Sequence, residues 1–391
     1  LIFIFLSRGT TLLFPFIGLS LMTSGINLSP SLSREEALLH ELQFRDKVKS
    51  AEYHYAVSFE FDGFFEENKL VEEFYEKICF LSKEFEFESF KLGVSWPLGV
   101  VDSAKSHLKY SIQTGLMSRI QEKMNKKMTI YYPDLEFLID FNKKLVLVKL
   151  NPVYIKGKYC KYSREIAQTE FFCNKCRGKG CWYCQNTGHF SVDSVEQLIG
   201  SVLSPAFGAK LAILHGAGRE DMDVLMLGGG RPFIAELLLP AKRTFDIKLL
   251  ENKINKLHEG KISVNSLEFV THDAVSTLKD AQHDKIYSAL VHSDKKIDFS
   301  KLKLGEKMIV MQKTPTRVAK RRADLTREKE VTLVRVGVIA PQEFVLVLRT
   351  SHGTYVKEFI SGDNGKTKPS ISSLVGANCT CTLLDVCEIC K

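Results

Sequence analysis

The chain has 391 residues, 45% hydrophobic and 26% charged, enough for two or three globular domains with cores of their own. That balance excludes a disordered, collagen-like or small disulfide-scaffold protein. A formal net charge of +8 is mild but regional: residues 301–330 carry ten basic and four acidic side chains, and residues 151–190 carry seven and two. Positive charge gathered in two segments suits a surface aimed at a polyanion such as nucleic acid.

Residues 1–25 are apolar and are split by Arg8, Gly9, Thr10 and Thr11. Neither half reaches the roughly 20 apolar residues that span a bilayer, so no membrane partner is expected. A targeting segment stays open, residues 1–39 are left unassigned, and the expected compartment is the cytoplasm, the nucleus or both. Next, Tyr53, Tyr55, Val57, Phe59 and Phe61 alternate with His54, Ser58, Glu60 and Asp62, the period of a half-buried strand, punctuated by Gly63. A helix is predicted over 64–82 and a strand over 85–94, ending at Trp96-Pro97. Ser103 then caps a helix through Leu108, Ile112, Leu116, Ile120 and Met124. Two strands, 134–141 and 144–155, complete an α/β unit over residues 40–155 that has no catalytic constellation.

Residues 156–190 are basic and rich in Gly and Cys, a linker with structure of its own. From Ser191 a helix is predicted through Val195, Leu198, Ile199 and Val202, and mostly strands follow, making 191–391 the second large domain. Within it Gly228-Gly229-Gly230 predicts a hairpin turn between apolar runs at 224–227 and 233–239. It lacks the third glycine of a dinucleotide fingerprint. The stretch Gly362-Asp363-Asn364-Gly365-Lys366-Thr367 fails the phosphate-loop spacing, so nucleotide hydrolysis loses its support.

Eight of the ten cysteines fall in two clusters, which argues for metal in a reducing compartment. Cys173, Cys176, Cys181 and Cys184 have C-x2-C-x4-C-x2-C spacing. Four thiolates can close a tetrahedral structural zinc site and order a loop too polar to bury apolar area. Cys379, Cys381, Cys387 and Cys390 read instead as strand residues, since Cys379 and Cys381 alternate with Thr380 and Thr382.

Gly218-Arg219-Glu220-Asp221-Met222-Asp223-Val224 puts three acids and an Arg in a loop between two apolar runs. A loop carboxylate held there can serve as nucleophile or base, but acidic turns are common and the pattern alone is weak. Followed by Met226-Leu227-Gly228-Gly229-Gly230-Arg231-Pro232-Phe233, it resembles the signature of the archaeal and eukaryotic tRNA pseudouridine synthase family that modifies T-arm uridines. Further blocks resemble that family in order: Lys161-Tyr162-Ser163-Arg164, Gln168-Thr169, Lys285-Ile286-Tyr287-Ser288, Gln312-Lys313-Thr314-Pro315-Thr316-Arg317 and Gly353-Thr354-Tyr355-Val356-Lys357-Glu358-Phe359.

The resemblance, spanning about residues 155–386, implies an α+β fold: a pseudouridine synthase catalytic domain with a mixed, mainly antiparallel sheet, fronted by the zinc loop and by an α/β unit resembling the THUMP RNA-binding module. It implies that a T-arm uridine, at tRNA position 54, 55 or both, becomes pseudouridine with no organic cofactor and no obligate protein partner. Asp221 is the implied catalytic carboxylate, by attack on C1′ or by removal of a sugar proton, with Asp223 the rival. Tyr287 is the implied base-stacking residue and Lys357 the cation beside the Asp. Arg219 would hold the loop or touch phosphate, and Tyr355 stands in the Lys357 block as a substrate contact. Arg317, Arg321 and Arg322, with Lys320 and Arg327, would meet the RNA backbone. Leu225 departs from the family, which usually has Arg there. An inactive tRNA-binding protein that keeps the fold is the alternative, and a zinc-dependent chaperone module is a weaker third reading.

Overall fold

The computed structural model describes residues 53–60, 66–95, 103–170, 172–173, 175–188, 193–319 and 323–390. The apolar start of the chain, Phe61, Asp62, Gly63, Trp96, Pro97, Ser191, Lys320, Arg321 and Arg322 lie outside them.

Apolar residues at helical spacing give the first unit its two helices. α1 (Glu67–Ser82) buries Leu70, Val71, Phe74, Ile78 and Leu81. α2 (Ser103–Met124) buries Leu108, Ile112, Leu116 and Ile120, one apolar stripe at a spacing of four. The helices approach closely at Gly115, where a Cβ would lie 3.1 Å from a Val71 methyl. Both pack on a five-stranded sheet of order β1-β5-β4-β2-β3, made of Tyr55–Ser58, Leu145–Leu150, Leu135–Asp140, Ser89–Ser95 and Lys127–Met128 respectively. In β5 the run Leu145, Val146, Leu147 and Val148 is wholly buried, as expected of a strand covered on both faces.

The single strand predicted over 144–155 is broken. Pro152 has no N–H for a ladder, and the chain leaves the first sheet there. Its continuation, β6 (Val153–Lys161), is an interior strand of the second sheet, which therefore crosses the expected boundary at 155/156. That sheet has ten strands in the order β14-β11-β12-β13-β10-β15-β8-β6-β9, with β7 paired to β8. They are β7 (Leu211–Gly216), β8 (Leu225–Leu238), β9 (Ile262–Val270), β10 (Lys285–Ser293), β11 (Lys307–Lys313), β12 (Thr326–Ala340), β13 (Glu343–Thr350), β14 (Thr367–Lys368) and β15 (Cys379–Ile389). Its pairings are antiparallel except for β15 with β8. Helices α3 (Val195–Phe207), α4 (Ile247–Leu257), α5 (Asp273–Asp280), α6 (Val356–Ser361) and α7 (Ile371–Val375) complete this mixed α+β unit. α3 starts at Ser194, whose Oγ accepts from the Gln197 N–H at 3.1 Å.

The glycine triplet is not a hairpin turn but part of a bulge within β8: between the Lys161–Met226 and Tyr159–Arg231 pairings β8 has four residues where β6 has one. A Cβ at Gly228 would lie 2.0 Å from the Cys387 carbonyl oxygen, so glycine is needed for close passage of two backbones rather than for reversal. The two units meet at Arg243, whose Nη2 donates to the carbonyls of Asp134 (2.8 Å) and Asn151 (2.6 Å), while Glu86 accepts from the Arg243 N–H (2.6 Å). A groove of about 500 Å³ opens along this junction, lined by Lys91, Tyr132, Asp134, Tyr154, Arg243 and His272 among others. Among the described residues no helix is long and apolar enough to cross a membrane.

Candidate active site

The loop that follows β7 carries the acids Glu220, Asp221 and Asp223, and the fold separates their environments. Glu220 points inward: its side chain is 1% exposed and faces the equally buried Arg231 of β8 at 2.8 Å. Tyr159 of β6 donates its hydroxyl to Glu220 at 2.7 Å, Gln168 donates to Tyr159 at 2.8 Å and to the Gly218 carbonyl at 2.9 Å, and Arg231 donates to the Ala217 carbonyl at 2.7 Å. Burial and the neighbouring Glu220 carboxylate push the Tyr159 phenol far above its ordinary range. Burial works against the charge of Arg231, but Glu220 and nearby phenols hold its pKa above the usual guanidinium value. Breaking such a buried pair leaves an uncompensated charge, and here Tyr159 supports the Glu220 end and the Ala217 carbonyl the Arg231 end, under the loop backbone.

Lys161 ends β6 fully buried, its ammonium donating to the carbonyls of Ile166 (2.8 Å), Met222 (2.6 Å) and Asp221 (3.4 Å). Burial lowers its pKa to about 8 against the opposing pull of Glu220, Asp223 and Asp221, with Arg164 lowering it further. Arg164 donates to the Asp223 carbonyl at 2.7 Å and pairs with Asp385 at 2.6 Å. Asp385 is the β15 partner of Leu225, so a guanidinium still stands beside the position where the family usually has Arg. Among the described groups, then, three cations, Arg231, Lys161 and Arg164, act on the carbonyls of the loop.

Asp221 and Asp223 point outward, their side chains 45% and 59% exposed. Lys357, in the first turn of α6, lies 3.6 Å from Asp221 and 2.8 Å from Asp223. Its nearer partner is thus Asp223, not the residue the resemblance pairs it with. Desolvation opposes ionisation of Asp223, but the Lys357 ammonium on both its oxygens holds the carboxyl below the usual range.

The closer cation to Asp221 is Arg317, whose Nη1 donates to Oδ2 at 3.0 Å and Oδ1 at 3.3 Å while its Nε donates to Glu358 at 2.6 Å. Arg317 sits in a 3₁₀ turn, Thr316–Val318, anchored by Asp363 accepting from the Thr316 N–H at 3.0 Å. Its guanidinium, expected on an RNA backbone, is turned inward onto two carboxylates. The Tyr355 ring lies 5.9 Å from it and is pinned by the buried Gln312 amide, which bonds the Tyr355 carbonyl and N–H at 3.0 and 2.8 Å.

Tyr287 reaches the site through strand register. It pairs with Val386 of β15, and Val386 with Met226 of β8, so the three form one row across three strands. Strand spacing puts Tyr287 about 10 Å from Met226, beside the acidic loop. Burial pushes its phenol up to about 12, Arg231 pulls the other way, and Glu220 and Asp221 add to the rise. Arg219 is exposed and makes no ion pair among the described residues.

Glu220, Tyr159, Gln168, Lys161, Arg164 and Glu358 also build the site, and no sequence pattern marks them individually. Four of them stand in the motif blocks upstream of or within the acidic loop, but spacing alone does not say which motif residues turn inward.

The Cys-rich loop forms a second cluster. The Sγ atoms of Cys173, Cys176, Cys181 and Cys184 lie within 4.8 Å of one another, and three separations are 3.7 to 3.8 Å. A zinc ion with four sulfurs at 2.3 Å requires an S–S edge of about 3.8 Å, so the donors fit it. The loop repeats itself after eight residues: Arg177 and Gly178 have positive φ as do Gln185 and Asn186, and Gly180 matches Gly188. A Cβ at Gly188 would lie 2.3 Å from the Gly178 oxygen, so the two knuckles pack only with glycine there. Burial opposes the Cys184 thiolate, but N–H groups of Cys181 and Gly188 at 3.2 and 3.3 Å on its sulfur lower its pKa to about 6.

The family described as Pus10, C-terminal, matches residues 154–390. The chain is similar to tRNA pseudouridine synthase Pus10 of Methanocaldococcus jannaschii, 38% identical over 84% of this chain and 74% of that one. Similarity to the Archaeoglobus fulgidus protein of the same name is 37% over 82% of this chain and 92% of that one. Among solved structures, a Cbf5-Nop10-Gar1 complex aligns over 49% of this chain and 44% of that chain at 15% identity, with a TM-score of 0.30. With more than half its length matched and relatives above 30% identity over most of both chains, this chain belongs to the Pus10 family of tRNA pseudouridine synthases, which are isomerases.

Proposed function

We propose that the chain converts a T-arm uridine of tRNA, at position 54, 55 or both, to pseudouridine, with Asp221 as its catalytic carboxylate. The observation that carries this reading is the exposed Asp221 carboxylate flanked by Arg317 at 3.0 Å and Lys357 at 3.6 Å, on a loop fixed from beneath. The reaction breaks the bond from N1 to C1′, turns the uracil, and joins C5 to C1′; C5 loses a proton and N1 gains one. Asp221 attacks C1′ or takes a sugar proton; in its support over Asp223, two cations, Arg317 and Lys357, flank its carboxylate, whereas among the described residues Asp223 pairs with Lys357 alone. Tyr287, protonated at working pH, stacks on the freed base. A uridine inside the folded T-loop must leave its stack to reach this site.

Lys357 holds Asp223 and, through it, the outer half of the loop. Tyr355, Arg219 and the basic segment containing Arg321, Arg322 and Lys320 meet the RNA. The first unit serves as an accessory RNA-binding domain, supported by the exposed Ile130 and Tyr132 on the groove beside the second sheet. The metal of the Cys173, Cys176, Cys181 and Cys184 cluster is zinc, in a structural role: four protein sulfurs leave no open coordination position.

Incubation with an unmodified tRNA transcript, followed by chemical mapping of pseudouridine, tests the reading. Product in the T-arm is expected. Product only in another arm overturns the substrate site, and none from folded, metal-loaded protein favours a tRNA-binding protein without activity.

A further inference from the structure

Each C-x-x-C pair of the Cys-rich loop encloses two middle residues. In the second knuckle those residues are Trp182 and Tyr183, and in the first one of them is Lys175. Trp182 is 79% exposed and Tyr183 48%, and the rings meet edge to face at 5.7 Å and 78°. The Lys175 ammonium stands 4.3 Å from both ring centroids, a distance at which the cation is held by the ring faces. Arg177 and Lys179 are exposed on the same loop, and among the described residues neither they nor Lys175 pairs with a carboxylate.

A single exposed apolar side chain is ordinary. An exposed indole braced by a second ring and a lysine, on a closely packed double knuckle that also exposes Arg177 and Lys179, is a different object. Ring faces stack on nucleobases and cations hold the phosphates between them. The charge identifies the partner as a polyanion, and the flat rings identify its bases as unpaired. The foot of the loop is tied to the reaction site, since Gln168, five positions before Cys173, donates to Gly218 at the start of the acidic loop.

We infer that Trp182, Tyr183 and Lys175 form a stacking platform for an unpaired base of the bound RNA, and that the metal serves to hold this platform rigid beside the acidic loop. The inference rests on the reading that tRNA is the substrate. The platform engages one base by its π-face, so it adds affinity without selecting among bases, and Arg177 and Lys179 track the adjoining backbone.

The test compares wild type with Trp182→Ala and Trp182→Phe, reading the Kd and KM for one unmodified tRNA transcript together with zinc content. Loss of one stacked base weakens binding by about tenfold. Trp182→Ala is expected to raise Kd and KM by about that factor with its zinc retained and the salt dependence of binding unchanged, and Trp182→Phe to recover most of the loss. In a separate variant, Lys175→Gln/Arg177→Gln/Lys179→Gln, the slope of log affinity against log salt is expected to fall. Wild-type Kd and KM in zinc-loaded Trp182→Ala overturn the platform. Absence of pseudouridine from the wild type itself overturns the functional reading instead, so the two failures are distinguishable.

Discussion

The acidic loop between β7 and β8 and the Cys-rich loop before α3 are both short, irregular and polar, yet opposite forces hold them. The acidic loop hangs on charges already inside the protein: Arg231 and Glu220 beneath it, and Lys161 on its carbonyls. The Cys-rich loop instead gathers four sulfur donors that could hold a metal ion. On the proposed zinc reading, the first is a permanent feature of the folded sheet and the second is conditional on metal. On the proposed function, a reacting Asp221 carboxylate needs the permanent kind of support, and a lobe that meets RNA tolerates the conditional kind.

Metal removal breaks the comparison most directly. Small structural zinc sites contribute about 10–16 kcal/mol to the order of their own segment, so a chelator, or Cys173→Ser with Cys176→Ser, is expected to open residues 173–188 to proteolysis. The cooperative melting of the second sheet should survive. A chelated loop as protected as the native one contradicts metal dependence.

Removing one partner of the buried pair acts on the other loop. Arg231→Met leaves Glu220 charged, buried and uncompensated, a change that costs about 3–5 kcal/mol, measurable by urea unfolding. Replacing Arg231 and Glu220 together by apolar residues should restore much of that stability without restoring activity. Equal recovery of both would mean that the pair has no positioning role.

A smaller effect sharpens the account of Lys161. Its pKa of about 8 lies below the ordinary 10.5, so between those values the unfolded chain binds more protons and stability rises with pH. Activity is expected to move the other way. Above pH 8 Lys161 loses the charge that faces Glu220, Asp221 and Asp223 across the loop, and turnover should fall. Lys161→Arg, which stays charged, should lack that alkaline limb; an identical pH profile in the variant contradicts the assignment. Tyr287, near 12, is silent across this range.

Periodicity made much of this fold legible. A four-residue apolar spacing marks α2, and a solid apolar run marks β5. Two local rules misled in opposite directions. Pro152 ends a strand that the apolar pattern carries through to residue 155, and Gly228-Gly229-Gly230, which resembles a turn, forms a bulge inside β8 where the Cys387 backbone passes too close for a Cβ at Gly228. At the site, the acidic motif stood out through its family blocks. The pairing of Arg317 with Asp221, 96 positions away, had no local signal. Neither did the burial of Lys161, because a lysine between Cys160 and Tyr162 in a basic segment reads as surface until the sheet closes over it.

The central claim is that Asp221, not Asp223, performs the chemistry. Pseudouridine formed in a tRNA transcript by Asp221→Asn and Asp223→Asn, each checked for folding and zinc content, tests it directly. The account predicts no product from Asp221→Asn and reduced but measurable product from Asp223→Asn. Product from Asp221→Asn with none from Asp223→Asn would contradict it.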